Sequence, residues 1–185
     1  MVLLLDLAMV TVSRRDERLY TLSVRLVSGL LRHRRDALAQ HVPIVVDFCR
    51  TLVPQFGSRH RVRALGVVDA TLFSRFLVML VETKNMDTFH AALMKHLPAI
   101  LVAYVRVVAD PRGHVRPDVR REMLPGLWAL CDTLTAGGRV QSRGREGEAL
   151  GEAFGLGDGP GSEAERDVWA DMWSGWAAKR YTGQG

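Results

Sequence analysis

The strongest constraint on the fold is the residue period between Asp16 and Arg34. On a helical wheel at 100° per residue, the apolar side chains of this segment fill one broad arc. Arg18, Arg25 and Arg32 line up at seven-residue steps on the narrow face that remains. An apolar arc this wide predicts a helix that contacts neighbours on two sides, as in a stacked helical array. The arc contains Leu19, Tyr20, Leu22, Val24, Leu26, Val27, Leu30 and Leu31.

Four further segments repeat apolar residues at three- and four-residue steps, which predicts helices over 36–56, 62–83, 87–109 and 118–135. Pro43 is expected to bend the first of them, and Pro125–Gly126 to kink or split the last. No segment alternates with period two. The prediction is therefore all-α: an irregular antiparallel helical array, like the end of an armadillo or HEAT α-solenoid, with no fixed internal period visible. The inward face predicted for the segment 62–83 is Val68, Leu72, Phe76, Met79 and Leu80.

The sequence divides into three parts. Residues 1–136 form the predicted helical-repeat body, 137–161 a glycine-rich linker, and 162–185 a C-terminal helix with a basic tail that packs on the body. The stretch Gly155–Gly161 differs from a dinucleotide-binding loop, because Pro160 stands at the third glycine and no strand precedes it. It also lacks the Lys-Ser/Thr ending of a P-loop. A linker is the expected role.

The C-terminal helix is predicted to begin with a capping box at Ser162–Glu165. Three tryptophans follow on one stripe, Trp169, Trp173 and Trp176. Such a stripe packs against the protein's own body or docks another protein, since large aromatic side chains dominate both kinds of contact. Both alternatives stay open, and the three tryptophans are the candidate partner-docking residues.

Positive charge is concentrated in the first two thirds of the chain, as arginine. Of 25 basic residues only Lys84, Lys95 and Lys179 are lysines, and residues 1–121 carry 19 basic and 10 acidic side chains, a net +9. Arginines clustered between helices suit a phosphate backbone, because a guanidinium donates two parallel hydrogen bonds. The alternative is solvated helix ends, where cations are favoured near helix C-termini. The candidate RNA phosphate contacts are Arg32, Arg34, Arg35, Arg59, Arg61 and Arg63.

No local motif supports catalysis or metal binding. Cys49 and Cys131 each stand alone in an apolar run, so neither a disulfide framework nor a zinc site is expected, and a reducing intracellular compartment is favoured. No HExxH or GxSxG motif occurs. The sequence therefore predicts no catalytic residues, metal ligands, cofactor or small-molecule substrate. An enzyme built from scattered residues is the weakest alternative. No signal peptide is expected, since the first twelve residues lack a basic n-region and a small-residue cleavage site. No membrane contact is expected, since no apolar run is long enough to span a bilayer.

Four short segments occur in an order that resembles a known family. They are KHLP at 95–98, ILVAY at 100–104, VRPDVR at 115–120 and MLPGLWAL at 123–130, followed by Asp132. Together they resemble the C-terminal domain of the nucleolar 27S pre-rRNA processing family, the unhealthy ribosome biogenesis protein 2 family. In that family a final helix carries an aromatic residue and a Lys/Arg-Tyr ending, which Trp173, Trp176 and Lys179–Tyr181 match. The resemblance spans 17–185, with the specific part at 95–132.

Two features depart from the family pattern. The glycine-rich segment 137–161 is inserted before the last helix, and Trp128 replaces the usual tyrosine. The resemblance implies a non-enzymatic scaffold, part of a longer helical-repeat protein, that supports 27S pre-rRNA processing in early pre-60S particles of the nucleolus. Its implied partners are other ribosome assembly factors, and pre-rRNA through the arginine clusters. The alternative is a generic helical-repeat adaptor outside the nucleolus.

Overall fold

The computed structural model describes residues 2–13, 17–57, 65–82, 88–136, 151–156 and 162–182. Within these ranges every regular element is helical, which confirms the all-α prediction. Two 3₁₀ turns, Ala39–His41 and Val53–Phe56, flank the fourth helix. The α-helices are α1 (Val2–Ser13), α2 (Glu17–His33), α3 (Arg35–Leu38), α4 (Val42–Leu52), α5 (Val67–Val81), α6 (Thr88–Leu93), α7 (Leu97–Ala109), α8 (Pro117–Ala136) and α9 (Ser162–Thr182).

Prolines divide two of the predicted helices. A new helix, α4, starts just before Pro43, and α7 starts just before Pro98 after a turn at 94–96. Proline is favoured in the first helical turn because its missing N–H would have no partner there. The bend expected at Pro43 is thus a helix start. In contrast, α8 runs continuously through Pro125 and is not split.

Helices α2, α5 and α8 run side by side in the same direction. Tyr20 Oη lies 3.5 Å from the carbonyl oxygen of Asp69, 49 residues later, and Arg32 contacts Met79, 47 residues later. Contacts between α5 and α8 join residues 51 and 52 apart. Neighbouring helices of this row are therefore separated by about 50 residues in the sequence. This structural period has no counterpart in residue identity, which explains why the sequence alone did not reveal it.

Aromatic side chains hold α4 and its following turn against this row. The Phe48 and Phe76 ring centroids are 6.0 Å apart, and those of Phe56 and Phe73 are 5.9 Å apart. From Phe48 on α4 to Phe56 in the turn that follows, the contacted residue on α5 moves back from Phe76 to Phe73. The two helices are therefore antiparallel. Tyr20 closes the cluster edge-on to Phe56 at 5.8 Å. All five rings are buried and form the centre of the core.

The backbones of α5 and α8 approach each other closely at Gly126. The Gly126 N–H donates to Ser74 Oγ at 2.9 Å. A Cβ placed on Gly126 would lie 2.7 Å from the Ser74 carbonyl oxygen. Only glycine allows this separation, so Gly126 sets the distance between the two helices.

Seven large apolar side chains of the described residues are exposed, and for Leu22 and Val68 the predicted inward orientation is wrong. Leu22 is 61% exposed and Val68 is 81% exposed, although both were predicted to face inward. On α1, Leu3 is 82% exposed, and Leu5 and Ala8 make the buried contacts with α2 and α4. Among the helices described, none combines the length and hydropathy needed to cross a bilayer.

We expect Gly126→Ala to lower the free energy of unfolding by about 2–3 kcal/mol, because the new methyl group meets backbone atoms that cannot rotate away. Gly29 is the matched control, since a Cβ there meets no atom within 4 Å. Gly29→Ala should stabilise the fold by about 0.5–1 kcal/mol through helix propensity. Urea unfolding followed by circular dichroism measures both. Equal effects at the two positions would contradict the close approach.

Candidate functional site

The end of α2 brings together the three described members of the predicted phosphate-contact set. Arg35 points back into the protein: its Nη1 and Nη2 atoms donate to the carbonyl oxygens of Met79 and Leu80 at 3.3 and 3.0 Å. Its guanidinium also lies 4.7 Å from the Phe89 ring centroid. A cation at the end of α5 satisfies carbonyls that lack helical partners. Arg35 thus joins three helices.

Arg32 and Arg34 remain on the surface at this end of α2. Arg32 is exposed, and its Nε donates to the Met79 sulfur at 3.3 Å. Arg34 is also exposed, and it is the single residue that separates α2 from α3. The other predicted contacts, Arg59, Arg61 and Arg63, lie outside the described residues. The structure therefore presents two exposed guanidiniums here, and the phosphate-contact set stays a prediction.

Two cations that the candidate set omitted lie beside these. Arg25 is exposed on α2 seven residues before Arg32, and Arg75 is exposed on α5. Arg32, Arg35 and Arg75 line a groove of about 740 Å³ between the two helices. Helical periodicity had placed Arg25 with Arg18 and Arg32. The sequence alone could not place Arg75 near Arg32, because the two residues become neighbours only through the 50-residue separation of α2 and α5.

The three tryptophans of α9 form one continuous stack. Ring centroids are 5.5 Å apart for Trp169 and Trp173, and 4.6 Å apart for Trp173 and Trp176. Trp169 and Trp176 are each only 3% exposed, whereas Trp173 is half-buried. Of the three candidate docking residues, Trp173 alone offers appreciable surface to another molecule.

Polar contacts fix α9 along α8. The Trp176 Nε1–H donates to Asp132 Oδ1 at 2.9 Å, and an Arg180 N–H donates to Thr135 Oγ1 at 3.1 Å. Both contacts join residues 44 or 45 positions apart, so α9 runs parallel to α8. A hairpin would have made them antiparallel.

Residues 151–156, within the predicted linker, also contact α9. Phe154 packs edge-on against Trp169 with centroids 5.7 Å apart. A Cβ on Gly151 would lie 2.9 Å from the Trp169 ring, and Leu156 is buried. This part of the glycine-rich segment belongs to the packed structure, while the three-part domain division as a whole stays a prediction.

Residues matched to the family pattern meet in space at this junction. Lys179 Nζ lies 4.9 Å from the ring centroid of Trp128, the residue that replaces the family's tyrosine. Arg180 lies 5.4 Å from the ring of Trp176. Cation–π contacts of this kind contribute roughly 0.5–1 kcal/mol at exposed sites. The basic end of α9 therefore fastens the helix to α8.

The ionisable groups with shifted pKa values are buried rather than placed in a cleft. Burial raises the pKa of the Cys49 thiol well above its usual range and that of Cys131 to about 12. Burial likewise raises the pKa of Tyr104 to about 12, although nearby Arg120 opposes the shift. A buried neutral thiol is a poor nucleophile. In the described ranges, no three His, Cys, Asp or Glu side chains group as metal ligands.

Both thiols should resist modification until the protein unfolds. We expect Ellman's reagent to label neither cysteine at neutral pH and both in denaturant. Because the folded state keeps these protons to higher pH, their contribution to stability is complete below pH 9.0, the unfolded value, and declines as pH rises toward about 12. Cys131→Ala should flatten the alkaline fall in the denaturation midpoint. Rapid native labelling would contradict the burial of these thiols.

Trp176 and Trp173 should differ in their effect on stability. Trp176→Ala removes a buried ring and leaves the Asp132 carboxylate without its donor, so we expect a loss of about 3–5 kcal/mol. Trp173→Ala removes a half-buried ring and should cost less than half as much. Thermal denaturation measures both variants. A larger effect at Trp173 would contradict the observed burial.

Comparison with known proteins identifies the family. A family model described as the Urb2/Npa2 family matches residues 2–184. No curated protein and no solved structure matches the chain. The match confirms the resemblance drawn from the segments at 95–132, and it implies a role in ribosome biogenesis. The chain belongs to the Urb2/Npa2 family.

Proposed function

We propose that the chain is a non-enzymatic scaffold that supports 27S pre-rRNA processing within early pre-60S particles in the nucleolus. The observation that carries this proposal is the match to the Urb2/Npa2 family over residues 2–184. The helical array supports it physically. Rows of parallel helices offer extended surfaces that several partners can share, which is the usual role of stacked helical pairs.

Cell experiments test this role directly. On depletion of the full-length protein, we expect large-subunit rRNA derived from the 27S precursor to fall several-fold while small-subunit rRNA continues to form. The tagged protein should concentrate in the nucleolus and co-sediment with pre-60S particles. Normal 27S processing after depletion, or residence at another compartment, would favour the adaptor alternative.

Pre-rRNA contact through the arginine clusters belongs to the same proposal. Arg32 and Arg34 are exposed at the end of α2, and Arg59, Arg61 and Arg63 would extend the set. Arg35 holds the α5 carbonyls and is therefore assigned a structural role. Each phosphate contact releases counterions, so its loss lowers the salt dependence of binding.

Replacing Arg32 and Arg34 together by Gln should flatten the plot of log K against log salt by about one to two units of slope, measured with a pre-rRNA fragment. Arg112→Gln is the matched control, because Arg112 is exposed but lies in a loop outside the candidate set. We expect no change there. An identical slope for the double variant and wild type would remove these arginines from RNA contact.

Assembly factors would dock at the α8–α9 junction, where Trp173 is the accessible member of the aromatic stack. We expect Trp173→Ala to weaken co-purification of pre-60S factors at least five-fold while circular dichroism remains unchanged. Trp173→Phe keeps an aromatic ring and should restore most of the signal. Full co-purification with the folded Ala variant would end the docking role of this surface. Trp176→Ala is unsuitable for this purpose, since its ring is buried.

A further inference from the structure

The outer stripe of α2 combines charge with exposed apolar surface. Arg18, Leu22, Arg25, Gly29 and Arg32 follow one another at steps of four and three, which places them on one face of the helix. Leu22 is 61% exposed between two arginines. The stripe therefore offers a partner an aliphatic side chain flanked by cations.

Gly29 lies on the same stripe, and packing within the described chain does not require a glycine there. A Cβ at this position would meet no heavy atom within 4 Å. Glycine inside a helix is unfavourable relative to alanine, and nothing packed in the described chain requires it here. Gly126 shows the opposite case, where the neighbouring helix excludes a methyl group. Gly29 is explained if another backbone approaches α2 from outside.

The groove between α2 and α5 borders this stripe. Its volume is about 740 Å³, within the range of specific ligand sites. Leu31, Leu72, Phe76 and Met79 supply apolar lining, and Val78 is 42% exposed at its edge. An amphipathic helix could place its apolar side chains along this lining, as in helix-in-groove recognition.

Charge selects the occupant. Arg32, Arg35 and Arg75 line the groove with the acidic residues Asp36 and Glu82, and exposed Arg25 adds a further cation on the neighbouring stripe of α2. We propose that the groove between α2 and α5 binds an acidic amphipathic helix of a partner protein. Its carboxylates pair with Arg25 and Arg75, and its apolar face covers Leu22 and Val78. RNA phosphates would use the arginines but gain nothing from these two aliphatic side chains.

This inference goes beyond the assembly role. Arg32 belongs to both proposals, but Arg25 and Arg75 lie outside the arginine set assigned to pre-rRNA, so the groove could fail as a docking site while RNA contact persists. The reverse also holds. The two proposals therefore have separate outcomes.

Site-specific photo-crosslinking of the full-length protein in cells tests the groove. Val78 is replaced by p-benzoylphenylalanine, with the same replacement at exposed Ala170 on α9 as the matched control. We expect Val78 to crosslink to a protein segment that repeats apolar residues at three- and four-residue steps and carries Asp or Glu beside them. The Ala170 position should not yield that segment.

A second variant separates docking from folding. Gly29→Leu fills open space on the outer stripe and improves helix propensity, so its thermal midpoint should equal or exceed that of the wild type, while the Val78 crosslink falls at least ten-fold. Arg25→Glu with Arg75→Glu should reduce it similarly. Crosslinks to RNA, to a basic segment, or to nothing would overturn the proposal. So would a crosslink that persists in folded Gly29→Leu.

Discussion

The contact between Gly126 and Ser74 determines how the rest of the array is built. It lets the backbones of α5 and α8 approach until a methyl group would no longer fit. That approach positions α8, whose Asp132 and Trp128 then bind α9. Most helix stability in proteins comes from tertiary packing of this kind rather than from intrinsic propensity. The glycine of the Pro125–Gly126 pair is therefore understandable as a packing requirement.

Local features of the helices could be predicted from sequence because they depend on local chemistry. The period of 16–34 gave α2 within one residue at either end, and the capping box gave the start of α9 at Ser162. Pro43 and Pro98 mark helix starts, whereas apolar periodicity predicts a bend at the first and a continuous helix through the second. A proline alone does not show whether the chain resumes its direction after it. That depends on packing partners.

The candidate surfaces were harder to predict, since they depend on which helices become neighbours. Leu22 and Val68 lie on apolar arcs, yet the array leaves no helix to cover them in the described structure. Arg35 sits in a run of cations, yet the end of α5 comes within its reach only through the 50-residue register. Periodicity shows which side of a helix is apolar. It does not show how much of that side finds a partner.

Because α2, α5, α8 and α9 point in the same direction, their backbone dipoles add to a net dipole moment. Backbone dipoles that point the same way place partial positive charge at one edge and partial negative charge at the other. Side chains oppose both ends: Asp69, Asp118 and Glu163 lie in first turns. Arg32, Lys179 and Arg180 lie in last turns. These side-chain charges oppose the dipole moment that parallel alignment creates. They thereby reduce the electrostatic repulsion between parallel helices that lie side by side.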